Sequence, residues 1–545
     1  MDSTTDSYEA ELETLMGPLY VAAIDAYMGG LFYSKVDGDR AYGPTMGDGK
    51  NPKIGGGSED VKVRITRPDA STGLGGGEGQ TEGVHNAPAD AFDFTDDFNR
   101  VRSEMNDLVK PWKSLPDPNQ IATKIQDYRD GVLGNLIWDG SSRADLQTVA
   151  DGKGDLPSSD QSGRMKEFLS RLDGAIKGPG SNEPNGKSGL SGSAADAFID
   201  KYNVKMPGVI DNLNTAGQLH RLTLMVEKKI FEDSRKKVVE AIKNATATFE
   251  MIGNKIGGGE FKLTLQFVKA ALDLVVSFPS TMENLGFEAA YGVIESADRS
   301  KAVHSYQQVK EEFKQALHAI SWDIHIAERS VNNYLSKNLS ILSQEKDRDY
   351  SNAKFQLKYG NSPSQDGKQA KSDKGRDGSP IRDTDGGTLS VSEASVDDIS
   401  RAMWDIHDLV NNAGTKLGGI SMSDVVRRDS SIGFGETGPS GSYDQYGQVL
   451  YELLRDLQWQ IEQGIVNLKL AYNDLQHQDE DSQSKLNFVA TQIQQGNSGV
   501  DPWDQQKQTD INSYNYFKND PGAQDPAPDQ QLIDEITQLM NGQGG

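Results

Sequence analysis

Residues 306–334 read YQQVKEEFKQALHAISWDIHIAERSVNNY, and their apolar positions, Tyr306, Val309, Phe313, Leu317, Ile320, Ile324, Ala327, Val331 and Tyr334, stand three or four apart. That spacing puts them on one face of a long α-helix and marks the seam of a bundle or coiled coil. Upstream, Leu219, Leu222, Val226, Ile230, Val238, Ile242 and Phe249 make a second stripe of the same kind. Between the two, residues 261–278 form a third apolar run, entered from Gly257-Gly258-Gly259 and stopped at Pro279, which predicts a further helix. A striped helix has to bury its apolar face against another. The three together predict an all-α fold, a long-helix bundle whose parts are joined by Gly-rich and disordered linkers.

Moving outward toward the amino end, residues 91–350 read as the main helical body. Phe98, Val101, Met105, Leu108 and Trp112 define one helix, ended by prolines, and Ile121, Ile125, Tyr128, Val132 and Leu136 continue the stripe up to Trp138-Asp139-Gly140. A shorter helix follows over 165–176. Residues 37–90 are glycine-rich and read as a long surface loop with at most a hairpin, the short alternating run 61–65 being its one strand candidate. Before it, residues 1–36 carry Leu12, Leu15, Leu19, Ala23, Ala26 and Leu31 at helical spacing, an amphipathic helix with Pro18 as a possible kink.

Toward the carboxy end, the stretch 351–388 is Ser, Gly, Asp, Lys and Gln with almost nothing apolar, the composition of a disordered linker. Beyond it, residues 389–495 predict a helical hairpin that folds independently. Its first helix carries Ile399, Met403, Ile406, Val410 and Leu417, and its second Leu450, Leu453, Leu457, Ile461, Ile465, Leu468, Ala471 and Leu475, joined by a glycine-rich connection over 418–441. Residues 496–545 read as a flexible tail with a short terminal helix.

Charge and composition exclude several functions. The 545 residues carry a formal net charge of -25, which repels nucleic-acid phosphates at long range. With no cysteine there is no disulfide, thiolate nucleophile or Cys-based metal site. The two most apolar windows, 15–33 and 261–278, are interrupted by charges or by glycine and proline, so neither reads as a membrane span. The amino terminus lacks a basic segment followed by an apolar run and a cleavage site, so no cleaved signal peptide is expected. The seven histidines include no His-Glu-x-x-His. His318 and His325 share a helix face near Asp323 and Glu328, but the one Glu-x-x-His spacing, Glu82 and His85, lies in the glycine-rich loop. No catalytic residues, metal site or cofactor are expected.

At Leu190-Ser191-Gly192-Ser193-Ala194-Ala195-Asp196-Ala197-Phe198 the chain resembles the Trp-x-Gly helical-hairpin (Esx-like) superfamily of type VII secretion substrates from Gram-positive, actinobacterial hosts. Gly192, the alanines and Phe198 match that family's turn and following helix, and Leu190 stands at the Trp position. Trp138-Asp139-Gly140 supplies a full Trp-x-Gly, and residues 389–486 are similar to such a hairpin in length and helix count. The resemblance implies a non-enzymatic secreted or envelope protein that binds secretion machinery or other helical hairpins. It also implies an export signal Tyr-x-x-x-Asp/Glu after a hairpin. Three pairs have that spacing, Tyr33/Asp37, Tyr291/Glu295 and Tyr516/Asp520, and position after the last hairpin selects Tyr516 and Asp520. Homo-oligomers and membrane contact are compatible with the sequence, though membrane contact is not expected; without export the protein would be cytoplasmic. Two other readings fit the same layout. One is a helical pore-forming toxin component, in which the apolar run between two long helices enters a membrane; the other is a phage or cell-surface assembly protein.

Overall fold

The computed structural model describes residues 7–36, 38, 40–44, 64–69, 79–82, 93–136, 159–178, 190, 195, 198–254, 261–265, 299–303, 305–347, 354–357 and 393–476. Among these, 82% are helical, and the fold is mainly all-α.

Helix α1 (Ser7–Gly30) opens the chain and leads into a four-stranded antiparallel meander of β1 (Tyr33–Val36), β2 (Ala41–Pro44), β3 (Arg64–Thr66) and β4 (Thr81–Glu82). Helix α2 (Thr95–Val109) ends in a tight turn at Lys110–Ser114, and α3 (Pro118–Tyr128) starts at once. Pro118 suits the first helical position because its missing N–H would be unsatisfied there anyway, and the Asp117 carboxylate accepts from Asn119 N at 3.0 Å. A π turn at Arg129–Leu133 and a last turn at Gly134–Leu136 extend this helix. Then come α4 (Ser159–Lys177), a π turn at Asp200–Lys205 and the 48-residue α5 (Met206–Gly253). Strands β5 (Phe261–Leu265) and β6 (Arg299–Val303) precede α6 (Tyr306–Asp347). The last described elements are α7 (Glu393–Leu417), the short α8 (Ser423–Val426) and α9 (Ser440–Gln476).

Helix α5 is the axis of the molecule: α1, α3, α6 and α9 pack along it, and every residue from Leu213 to Leu224 is buried. All the stripe residues of 219–249 and 306–334 are buried, and all but Leu222 share an apolar core with residues of α1, α2, α3, α7 and α9. Burying a side chain of this size contributes about 1.5–3 kcal/mol, which is why the stripes determine the partners.

Three expectations are corrected. Residues 261–265 are a strand, not the start of a helix: Phe-Lys-Leu-Thr-Leu alternates apolar and polar with period two, and it pairs antiparallel with 299–303 over five positions, Phe261↔Val303 to Leu265↔Arg299. The rest of that run, 266–278, lies outside the described residues, as do most of the glycine-rich stretch 37–90 and the linker 351–388 apart from 354–357. The glycine-rich stretch supplies more than a hairpin. Its Tyr42 and Ile65 are buried, and the meander is fastened to α1 by Asp25, whose carboxylate takes Tyr42 Oη at 2.6 Å, Arg67 Nε and Nη2 at 2.7 Å each, and Lys35 Nζ at 2.9 Å. Third, the carboxy-terminal hairpin does not stand apart from the body. Helix α7 packs on α4, α9 packs on α5 and α6, and Tyr446 Oη donates to Ala216 O of α5 at 3.1 Å.

Candidate functional site

The hairpin segment comes first. Leu190 and Ala195 are buried, and Phe198 is half-buried with its ring 4.7 Å from that of Tyr202. Tyr202 Oη donates to Gln460 O at 2.7 Å, and Lys201 Nζ reaches Gln460 Oε1 at 2.6 Å, so the segment seats on α9 over Gly464, where a larger residue would strike the phenol. Burial there lowers the Lys201 ammonium to about 8 and raises the Tyr202 phenol. Asn203 Nδ2 donates to Asp173 Oδ1 at 2.9 Å, joining the end of α4 to the helix that follows the 179–197 connection. Trp138, Gly140, Gly192, Tyr516 and Asp520 lie outside the described residues.

A second feature is the end of the molecule where α1 and α5 finish side by side. A Cβ on Gly29 would sit 3.6 Å from Gly253 Cα, and α6 begins at the same end, with the Tyr306 ring 5.8 Å from Tyr27 and 5.7 Å from Phe249. Leu31, Phe32 and Met251 stand out from this end, 41%, 69% and 47% exposed. Phe32 does so from a left-handed backbone (φ 65°), a conformation that costs a non-glycine residue on the order of 1–3 kcal/mol. The β5–β6 ladder follows directly from the ends of α5 and α6.

A third feature was invisible in the sequence. Glu227 of α5, Glu328 of α6 and Arg428 of the α8–α9 connection meet in the core with their side chains sealed from solvent. Arg428 Nη2 donates to Glu328 Oε2 at 2.5 Å, Nε to Ile432 O at 3.0 Å and Nη1 to Val426 O at 3.2 Å, while its guanidinium carbon lies 5.2 Å from the centre of the Phe231 ring. Phe434 N–H adds a second donor to Glu328 Oε2 at 2.9 Å. The connection can come this close because Gly433 and Gly438 have positive φ and no Cβ; one on Gly438 would lie 2.6 Å from Glu328 Oε1. Burial raises both carboxyls above the ordinary range, Glu227 furthest because Glu328 repels its charge. A site sealed in this way can hold a proton and clamp a loop; it meets no substrate.

His325 stands beside this cluster, its ring stacked on Trp322 at 5.2 Å and Nδ1 3.3 Å from Gly433 O, whereas His318 is exposed. The two histidines stand seven apart on one helix, and the α8–α9 connection meets only His325. Among the described residues no group of three or more His, Asp or Glu side chains is placed to hold a metal ion. His220 is a core group: Nε2 lies 2.8 Å from Tyr443 O, Nδ1 3.2 Å from Tyr128 Oη, and burial lowers it to about 3. No helix of the described residues is long and apolar enough to cross a membrane. No protein-family model, curated protein or solved structure matches the chain.

Proposed function

We propose that the chain is a non-enzymatic helical protein of the type VII (Esx-like) export group, secreted or held at the envelope, that works by binding protein partners through helix faces. The observation that supports this reading is the bond between Asn203 and Asp173, which ties the segment after Leu190 and Ala195 back to the end of the preceding α4. Export is tested in the native host. Tyr516→Ala and Asp520→Ala should each lower the extracellular amount while leaving expression and melting temperature unchanged, because an i,i+4 phenol and carboxylate read together by a receptor need both members. Equal secretion of the wild type and both variants would remove the signal, and absence of the wild type outside the cell would remove export.

A second reading, a membrane-inserting component, is favoured by a different observation. Exposed Leu31, Phe32 and Met251 gather at the end where α1 and α5 finish and α6 begins. Vesicle flotation decides it: wild type should float with lipid and Phe32→Ser should not, whereas a wild type that stays at the bottom of the gradient sinks this reading and leaves the first intact.

A further inference from the structure

We infer that Glu227 and Glu328 bind a single proton between them, and that this proton is the latch holding the α8–α9 connection, and with it the α7–α9 hairpin, against α5 and α6. The argument begins with charge. Two carboxyls and one guanidinium share a volume from which water is excluded, and an uncompensated charge in such a place costs several kcal/mol. Arg428 neutralises one carboxylate, so the other has to be an acid.

The hydrogen-bond inventory gives the same answer independently. No N–H or O–H among the described residues reaches Glu227 Oε1, Glu227 Oε2 or Glu328 Oε1. Yet the two carboxyls lie within hydrogen-bonding reach of one another, an arrangement that two bare carboxylates cannot hold and an acid–carboxylate pair can. Glu328 uses Oε2 for Arg428 and Phe434, which leaves Oε1 for the shared proton.

Geometry then makes the proton a latch. The charges facing Glu227 are Glu328 from α6 and Arg428 from the connection. Further along the same two helices, Lys237 and Asp323 neutralise each other at 2.9 Å, and His325 turns toward Gly433. The connection touches the long helices through few other polar bonds near this point: Ser321 Oγ accepts from Gly433 N–H at 3.0 Å and donates to Ser431 O at 3.1 Å, and His325 meets Gly433. Removing the proton leaves two adjacent anions beside one cation. The repulsion is relieved most easily by moving Arg428 and its loop outward with water following, since α5 and α6 are locked by their stripes.

The sign follows from the raised carboxyls. A carboxyl whose folded-state affinity for protons exceeds its unfolded one contributes stability that is full in acid and is lost as pH rises toward its folded value. Release therefore comes on the alkaline side. The test uses the full chain. Infrared spectra followed upward from about pH 6, where solvated carboxyls are already ionised, should show a carboxylic-acid C=O band that Glu227→Gln lacks. Hydrogen exchange, corrected for intrinsic rate, should show protection of α7 and α9 falling by up to about tenfold per unit as pH rises toward the latch titration while α1 and α5 hold, and Glu227→Gln, which keeps the hydrogen bond but cannot ionise, should abolish that fall. No acid band in the wild type, a band that survives in Glu227→Gln, or the same alkaline loss in both proteins each overturns the proposal. Should Glu227→Gln not fold, the wild type alone suffices: the band and the α7–α9 protection must disappear with one midpoint, and two separate midpoints overturn it.

Discussion

At the scale of single residues, two buried polar groups carry consequences that can be measured. Tyr42, Arg67 and Lys35 all draw on the Asp25 carboxylate, and both Asp25 and Arg67 are nearly sealed from solvent. Asp25→Ala removes the acceptor and leaves the cations facing a low-dielectric wall, so we expect a loss of about 3–5 kcal/mol in urea unfolding, with the strand signal of the meander lost first. His220 sets the acid limit. Its folded value of about 3 lies below the ordinary 6.5, so the unfolded chain takes up a proton that the folded chain refuses. Its contribution is complete above pH 6.5 and is lost as pH falls from there toward 3, at up to ~1.4 kcal/mol per unit. His220→Phe should therefore show a shallower fall of melting temperature than wild type between about pH 6.5 and pH 4, and equal slopes would refute the neutral core histidine. Neither residue advertised itself in the sequence. Asp25 reads as an interruption of an apolar window, and His220 sits one position from the stripe residue Leu219.

At the scale of elements, close backbone approach decides how α1 sits on α5. A Cβ at Gly253 would lie 2.8 Å from Asp25 Cβ and 2.9 Å from its carbonyl carbon, so Gly253→Val should push the two helices apart at a cost of about 1–3 kcal/mol, with amide protection lost in α1 before α9. Gly208, where an added Cβ would meet no atom within 4 Å, is the control: Gly208→Ala should stabilise by about 0.5–1 kcal/mol through lower unfolded-state entropy. The helices were legible because their stripes repeat every three or four residues, and the stripe positions of α5, α6 and α7, and those of α9 as far as Leu468, are buried as that spacing requires. The strand at 261–265 reads as helix from sequence because its short alternation opens the longer apolar run 261–278, and its partner 299–303 lies too far along the chain for any local rule to find.

At the scale of the whole molecule, the carboxy-terminal hairpin belongs to the body. Arg171 meets Asp405 at 2.7 Å, Gln356 meets Asp456 at 3.0 Å, and His220 stacks on Tyr443 at 3.6 Å between ring centroids, each pairing a residue of the body or of 354–357 with one of the hairpin. A protease site introduced within 358–392 and cut should therefore give two fragments that elute together at neutral pH and part only in denaturant. Two separate folded peaks would restore the division into independent units. Composition marked 351–388 as a boundary because polar chain offers no buried area to offset ordering entropy, and that argument speaks of the segment itself, not of whether the parts on either side touch.

By itself the sequence determined the helical class, the run of each long helix and the face each one buries, because these follow from a periodicity written within every turn. It also determined the formal net charge of -25 and the absence of cysteine, which composition alone supplies. Only the tertiary structure decided that Glu227 and Glu328 face one Arg428, that Asp25 holds a sheet, and that 261–265 pairs with 299–303. The physical reason is the same in each case. Meetings between residues far apart in the chain depend on which stripes find each other and on how water is excluded between them, and a side chain's charge, proton and partners are settled only after that exclusion has taken place.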